Sequence, residues 1–171
     1  EIKIPISVDT YKASVAEKAV KAGAAVINDI WGLQADKNMG KVVKEYEVPV
    51  IIMHNQKKPD YQDVRKEVFD YLYQTSEKLA ESGVSREKII LDPGIGFAKT
   101  TEHSLILLKH LSELRSLGYP ILVGSSRKSV IGQTLNLPVS ERLAGSLAVN
   151  ALAIAHGVNI LRVHDVKETK E

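Results

Sequence analysis

Acidic and amide side chains lie at the ends of short apolar runs, where they could recognise the edge of a planar heterocycle. Asp9 ends the run PISVD, Asn28 lies inside VINDIWG, and Asp92 follows IIL and precedes PGIGF. A carboxylate such as Asp92 can accept two parallel N–H bonds from an amidine-like edge, and the amide of Asn28 can both donate and accept. The alternative for Asp92 is a cap on the following Pro-Gly turn. For Asp9 it is a cap on the next helix.

A second set of residues could hold an anion. Residues 125–129 read SSRKS directly after Gly124, so two cations stand among three hydroxyl groups. This combination suits a phosphate or electron-rich ring atoms. The alternative is a solvated basic turn.

Arg162 and His164 alternate in ILRVHDV. With the two-residue period of a strand they point to the same side. An arginine buried in an apolar strand needs an anionic partner, because an unpaired buried charge is costly. A phosphate or diphosphate is one such partner, and an Arg–Asp pair without a ligand is the alternative.

Six apolar runs predict β-strands that alternate with helical segments. The runs lack polar alternation, which is typical of parallel strands covered on both faces. The predicted strands are residues 2–8, 24–30, 48–53, 88–91, 120–123 and 158–163. The predicted helices are residues 11–22, 37–46, 60–82, 102–117 and 140–156.

Parallel strands joined by helices allow either an open doubly wound sheet or part of an eight-stranded barrel. An open sheet gathers its ligand groups at one switch point, whereas a barrel gathers them from all strand ends around one mouth. Polar residues follow all six predicted strands, which favours an α/β fold that is part of a TIM (β/α)8 barrel. A complete barrel has eight strands and about 250 residues. We therefore expect residues 1–171 to be one barrel domain that is incomplete at both ends.

The composition is that of a globular protein that acts on small molecules. The chain is 44% hydrophobic and 26% charged, with a net charge of +2, which gives no reason to expect nucleic acid or a membrane as a partner. No apolar run reaches the length of a membrane span. The absence of cysteine excludes thiolate metal sites, and no histidine pair has the spacing of metal ligands. We expect a cytoplasmic enzyme with no metal-binding residues in this chain.

Six motifs in order resemble those of the dihydropteroate synthases. They are PISVDTYK, INDIWG, VIIMHN, LDPGIGFAKT, GSSRKS and RVHDV. The resemblance covers essentially the whole chain and implies an eight-stranded barrel, in which the six predicted strands resemble strands 3–8. Strands 1 and 2 and the last helix would then lie outside this chain. Ser125 stands where threonine is common in the family, a change that keeps the hydroxyl group.

The resemblance also implies a reaction. In this family the amine of 4-aminobenzoate displaces diphosphate from 6-hydroxymethyl-7,8-dihydropterin diphosphate, giving 7,8-dihydropteroate in folate biosynthesis. Mg²⁺ assists the diphosphate, and the family's ligand for it lies in the first loop, which would be absent here. Family members are homodimers and sulfonamide targets. The resemblance thus predicts a transferase with two small-molecule substrates, and it predicts that these 171 residues alone do not turn over.

The family's functional residues can be carried over motif by motif. The pterin pocket would comprise Asp9, Asn28, Ile30, Met53, Asp92, Phe97, Gly124, Lys128 and Arg162. The 4-aminobenzoate site would be bordered by Phe97, Lys128 and Ser129, and the diphosphate would be held by Arg162 and His164. The catalytic residues would be Asp9, Lys128 and Arg162. Asp9 would stabilise positive charge on the pterin methylene by electrostatic preorganisation. His54 has no assigned role, and Lys99 is expected to be exposed.

Two other functions stay open. A related pterin-binding methyltransferase would share the barrel and the pterin pocket, but it has no need of SSRKS or RVH. Such a methyltransferase would be distinguished by binding of methyltetrahydrofolate that does not depend on diphosphate. A noncatalytic pterin-binding or structural protein is the second alternative.

Overall fold

The computed structural model describes residues 3–171 as parallel strands that alternate with helices. The strands are β1 (Ser7–Asp9), β2 (Val26–Asp29), β3 (Val50–Met53), β4 (Ile89–Asp92), β5 (Leu122–Val123) and β6 (Ile160–Leu161). The α-helices are α1 (Ala13–Lys21), α2 (Met39–Tyr46), α3 (Val64–Glu81), α4 (Thr101–Lys109), α5 (Ser129–Leu135), α6 (Leu143–Ala155) and α7 (Val166–Lys170). The α/β class is confirmed, with strands shorter than predicted. Residue 2 of the predicted first strand lies outside the described residues.

Each strand pairs in parallel with the strand that precedes it in the sequence. Strands β1 to β4 form one sheet in that order, and β5 pairs with β6. A bridge between Leu91 and Ile121 links the two sheets, so the strand order within residues 3–171 contains no reversal. A doubly wound sheet reverses its order at the switch point. The uninterrupted order is that of a barrel wall, and the prediction of a partial barrel is confirmed.

The two faces of the sheet carry different apolar clusters. Ile52 and Leu91 belong to the main core, which packs the strands against the helices. The alternate residues Ile51, Ile90 and Leu122 form a small separate cluster on the opposite, inner face. Strands β3 and β4 are buried along their whole length. This two-sided burial explains why their sequences are continuous apolar runs.

The inner face ends in residues that can bind a ligand. Side-chain direction alternates along a strand, so Asp92 shares the inner face with Ile90. The register places Met53 beside Asp92, Ile51 beside Asn28, and Asp9 beside Asn28. The carboxyl ends of four adjacent strands therefore present these residues at one mouth.

The helices α1, α2 and α6 begin two or three residues later than predicted, α7 was not among the predicted helices, and three further departures are larger. Helix α5 was not predicted. The predicted helix 102–117 divides at His110 into α4 and a 3-10 segment, Leu111–Leu117. Helix α3 begins at Val64 because the Asp63 side chain caps it by accepting from Lys66 N at 3.1 Å. Within residues 3–171, no helix has the length and apolar character needed to cross a membrane.

Candidate functional site

Asp9 and Asn28 form a hydrogen-bonded pair at the first two strand ends. Asn28 Nδ2 donates to Asp9 Oδ1 at 2.9 Å, and Arg162 Nη2 donates to Asp9 Oδ2 at 2.7 Å. The Asn28 Oδ1 is buried and has no hydrogen-bond donor within residues 3–171. A buried acceptor without a donor is costly, so this oxygen is free to accept an N–H group of a ligand.

Asp92 is the buried carboxylate of the site. Its Oδ1 accepts from Gly94 N at 2.7 Å, so the turn cap weighed as an alternative is present. Its Oδ2 makes no hydrogen bond to another described residue. Burial raises the pKa of Asp92, and the nearby cations Lys128, Lys99 and Arg162 oppose that rise. One carboxylate oxygen thus fixes the turn and the other is left for a ligand.

Lys128 crosses from the loop after β5 to the loop after β4. Its Nζ donates to the Ile95 carbonyl at 2.6 Å and lies 4.5 Å from the centre of the Phe97 ring. Burial lowers the pKa of Lys128, although Asp92 opposes this effect. A partly desolvated ammonium over an aromatic face gives a cation–π contact, and this contact places Lys128 and Phe97 side by side.

An anion-sized cavity lies between the ends of β5 and β6. Its volume is about 160 Å³, and its lining comprises Gly124, Ser126, Lys128, Arg162, Val163 and His164. His164 Nδ1 lies 3.0 Å from Ser126 Oγ. Gly124 lies against Arg162, and a Cβ at position 124 would make only an ordinary van der Waals contact with the Arg162 Cβ, at 3.5 Å. The cavity gathers the predicted diphosphate residues and Lys128.

Arg162 differs from its expected setting. It follows β6 instead of lying within a strand, and its side chain is 56% exposed. The expectation of a buried arginine is therefore wrong. Its anionic partner in the structure is Asp9, because the side chain extends across the mouth.

The two cations of SSRKS have different partners. Arg127 has a positive φ of 55°, and its Nε and Nη2 donate to both carboxylate oxygens of Asp165 at 2.8 and 2.6 Å. Only Lys128 is directed to the cavity. The interpretation of Arg127 and Lys128 as one anion site is therefore wrong, because the Arg127 guanidinium already forms a bidentate ion pair with Asp165.

The remaining predicted residues lie around the same mouth. Met53 is buried at the end of β3, and Ile30 is half-buried directly after β2. Phe97 is half-buried in the loop after β4. Ser129 is exposed and begins α5, directly after Lys128.

Sequence reasoning missed a contact between His54 and Lys99. The expectation that Lys99 is exposed is wrong, because its Nζ lies 3.0 Å from Nδ1 of His54, which is only 5% exposed. The two positions are 45 residues apart, so no local pattern could have linked them.

Within the part of the chain that the structure describes, no three histidine, aspartate or glutamate side chains are close enough together to hold a metal ion.

Comparisons with known proteins give one consistent result. Residues 1–164 match the family described as pterin binding enzyme. The dihydropteroate synthase of Clostridium beijerinckii is 47% identical over 169 residues, which is 98% of this chain. The dihydropteroate synthase structure of Clostridium difficile, solved in the presence of pteroic acid, superposes with a TM-score of 0.95 at 49% identity over 99% of this chain. That of Xanthomonas albilineans with 4-aminobenzoic acid gives 0.94 at 40% identity over 98%.

The matched proteins are longer than this chain. The chain spans 63% of the Clostridium beijerinckii protein, and it covers 65% and 62% of the two solved chains.

Proposed function

Because the chain belongs to the family of pterin-binding enzymes, we propose that it carries the pterin and diphosphate sites of a dihydropteroate synthase. The reaction would join 6-hydroxymethyl-7,8-dihydropterin diphosphate to 4-aminobenzoate and release diphosphate and 7,8-dihydropteroate. The observation that carries the proposal is the meeting of Asp9, Asn28, Asp92 and Arg162 at one barrel mouth. Such a mouth is where barrel enzymes bind their substrates.

The pterin would lie against the ends of β2, β3 and β4. The Oδ2 of Asp92 would accept from the amino-pyrimidine edge, and the unpartnered Oδ1 of Asn28 would accept a further ring N–H. Lys128 would donate to the ring, while Met53 and Ile30 supply apolar contact. Buried polar groups that pair only with the correct ligand give strong discrimination, because an analogue without the matching group leaves them unpaired.

The diphosphate would occupy the cavity beside Arg162 and His164. On binding, Arg162 would exchange its contact with Asp9 for the anion, and Ser126 would hold the His164 ring in place. The 4-aminobenzoate would enter beside Phe97, Lys128 and Ser129. Charge-assisted hydrogen bonds are the strong contacts of such sites.

Catalysis would be electrostatic. The methylene C–O bond breaks and diphosphate leaves with the electron pair, while the amine of 4-aminobenzoate forms the new C–N bond and loses a proton. The Asp9 carboxylate, freed from Arg162, would stabilise positive charge at the methylene, and Arg162 would stabilise the leaving anion. Fixed charges aimed at developing charge are the largest contribution to many enzymatic rates.

Mg²⁺ is the family's expected aid to diphosphate departure. The described residues do not form a ligand set for it, so no step here depends on the ion. A homodimer and a cytoplasmic location are also part of the proposal, on the strength of the family resemblance. Leu152 of α6 and Leu105 of α4 line one surface cavity and are 61% and 43% exposed, and this exposed apolar surface supports a second copy as a partner.

Calorimetry with 6-hydroxymethyl-7,8-dihydropterin diphosphate tests the proposal. We expect saturable binding that Asp92→Ala abolishes, while replacement of the exposed Lys41 by methionine leaves it unchanged. Normal binding by Asp92→Ala would show that the pocket assignment is wrong. Tighter binding of methyltetrahydrofolate, with no contribution from diphosphate, would indicate a methyltransferase.

A further inference from the structure

A buried contact joins the end of β3 to the loop that follows β4. Lys99 Nζ lies 3.0 Å from His54 Nδ1 and donates to the carbonyl oxygens of His54 at 3.3 Å and Phe97 at 3.0 Å. In its ammonium form Lys99 has three N–H donors, one for each of these acceptors, although burial lowers the pKa of this side chain to about 7. No carboxylate pairs with Lys99 within residues 3–171, so the contact is not an ordinary ion pair.

Aromatic side chains hold the His54 ring in one orientation. The ring packs edge-on against Tyr71, with centroids 5.0 Å apart and planes at 89°, and the Tyr71 hydroxyl donates to the Gly32 carbonyl at 2.7 Å. The Tyr61 ring lies 5.9 Å away on another side. Burial lowers the pKa of His54 to about 3, so its imidazole is neutral. The tautomer with its proton on Nε2 lets Nδ1 accept from the Lys99 ammonium.

The loop fits closely against this contact. Gly94 has a φ of +71°, and a Cβ there would lie 2.1 Å from the His54 carbonyl oxygen and 3.3 Å from Lys99 Nζ. Asp92 begins this loop and accepts from Gly94 N. Phe97 lies near its end, where Lys99 holds its carbonyl oxygen and Lys128 contacts its ring. The loop of residues 92–99 thus presents Asp92 to the proposed pterin and Phe97 to the proposed 4-aminobenzoate.

We propose that Lys99, held by His54, is a positioning residue that fixes the loop of residues 92–99 and thereby sets the placement of Asp92 and Phe97 relative to Lys128. In this role Lys99 touches neither substrate. The inference rests on the proposed function, because Asp92 and Phe97 matter in this way only if the site binds a pterin and an aminobenzoate.

A positioning role and a purely structural role differ in what they change. Loss of a structural contact lowers the stability of the fold but leaves the affinity of the folded molecules unchanged. Loss of a positioning contact weakens substrate binding in molecules that remain folded. The affinity measured well below the unfolding temperature therefore separates the two roles.

The experiment compares matched substitutions in the natural protein that carries this sequence. Lys99→Met removes the ammonium and keeps the chain length. His54→Leu removes the side-chain acceptor, whereas His54→Asn keeps an acceptor close to the position of Nδ1. Lys41→Met is the control, because Lys41 is exposed on α2. The measured quantities are the Kd for the pterin diphosphate by calorimetry and the KM for 4-aminobenzoate.

We expect Lys99→Met and His54→Leu to raise both constants by about tenfold, the effect of losing one or two buried hydrogen bonds. His54→Asn and Lys41→Met should stay within about twofold of the unchanged protein. Unchanged constants in folded Lys99→Met would overturn the proposal. If that variant does not fold, equal constants for His54→Leu and His54→Asn would overturn it instead. Absence of pterin binding by the unchanged protein would overturn the proposed function itself.

Discussion

Arg162, directly after β6, and Asp9, at the end of β1, form an ion pair although 153 positions separate them. The Nη2–Oδ2 distance is 2.7 Å. In a flat six-stranded sheet, five spacings of about 4.8 Å would hold the outer strands about 24 Å apart. The pair can therefore form only because the strands follow a curve that brings their ends around a common mouth.

Replacement of Asp9 by asparagine should weaken pterin binding with little effect on the fold. Both partners of the ion pair are about half exposed, and such pairs contribute about 0–1 kcal/mol to stability. Asparagine cannot stabilise a cationic methylene or hold Arg162 by charge. Calorimetry should show a higher Kd for the pterin diphosphate, and urea unfolding should show a nearly unchanged midpoint.

The control for Asp9→Asn is Glu17→Gln, which breaks an exposed ion pair with Lys21 on α1. We expect similar, small losses in unfolding free energy for the two variants. A much larger loss for Asp9→Asn would mean that the ion pair also stabilises the curved arrangement of β1 to β6 and not only the site.

The substitution Arg127→Lys keeps the positive charge next to Lys128 but removes the bidentate geometry of the ion pair with Asp165. Arginine makes two parallel bonds to Asp165, and lysine cannot reproduce that fork. We expect the midpoint of unfolding in urea to fall, because the second of the two parallel hydrogen bonds is lost. The Kd for the pterin diphosphate should rise as well, because Arg127 precedes Lys128 and sets the turn that directs it. Arg65→Lys is the matched control, since Arg65 makes a single, exposed contact with Glu113 at 3.1 Å. Equal losses of stability in Arg127→Lys and Arg65→Lys would argue against a special role of the bidentate pair between Arg127 and Asp165.

Stability should fall in acid in a way that depends on His54. Burial lowers the pKa of this imidazole from 6.5 to about 3. Between these values the unfolded chain binds the proton and the folded chain does not. Each unit by which the pH falls between these two pKa values then lowers the free energy of unfolding by about 1.4 kcal/mol.

Urea unfolding at a series of pH values between 7 and 4 measures this dependence on acid. His54→Asn lacks the titrating group, so its unfolding free energy should decline less steeply as the pH falls. If the unfolding free energies of the unchanged protein and of His54→Asn fall equally steeply with pH, the assignment of a neutral, buried imidazole is contradicted.

Gly94→Ala should be far more damaging than a glycine substitution at a similar backbone angle elsewhere. Gly94 and Gly118 have φ values of +71° and +77°, but a Cβ at position 118 meets nothing within 4 Å. We expect Gly118→Ala to cost about 1–2 kcal/mol of unfolding free energy, from the left-handed conformation alone. Gly94→Ala should cost more and should also raise the Kd for the pterin diphosphate, because its Cβ would displace the end of β3. Similar losses of stability for Gly94→Ala and Gly118→Ala in thermal unfolding would contradict this prediction.

The barrel wall and the residues at its mouth were predictable because both depend on local patterns. Apolar runs such as VIIM and IILD indicate strands covered on two faces, and the two-residue alternation of a strand puts Asp92 on the same side as Ile90. Helix α5 was missed because its seven residues directly follow the turn of residues 125–128 and include Gly132. Such a short segment carries too little periodicity for prediction.

The partners of the charged side chains could not be read from the sequence. Arg127 and Lys128 are adjacent, yet the positive φ of Arg127 directs one to Asp165 and the other to Ile95. The contact between Lys99 and His54 joins two loops that only the sheet order brings together. Such choices depend on tertiary geometry, which residue types and their spacing do not specify.

The uninterrupted strand order also affects how the chain can assemble during synthesis. Each new strand finds the edge of the preceding one already formed, so the wall can grow from the N-terminal side as the chain emerges. Asp9 is made early and Arg162 late, and their pairing depends on the arrival of β6. The binding mouth is thus completed only after β6 has been made, and a ribosome-bound chain that stops before β6 would present Asp9 without its cation.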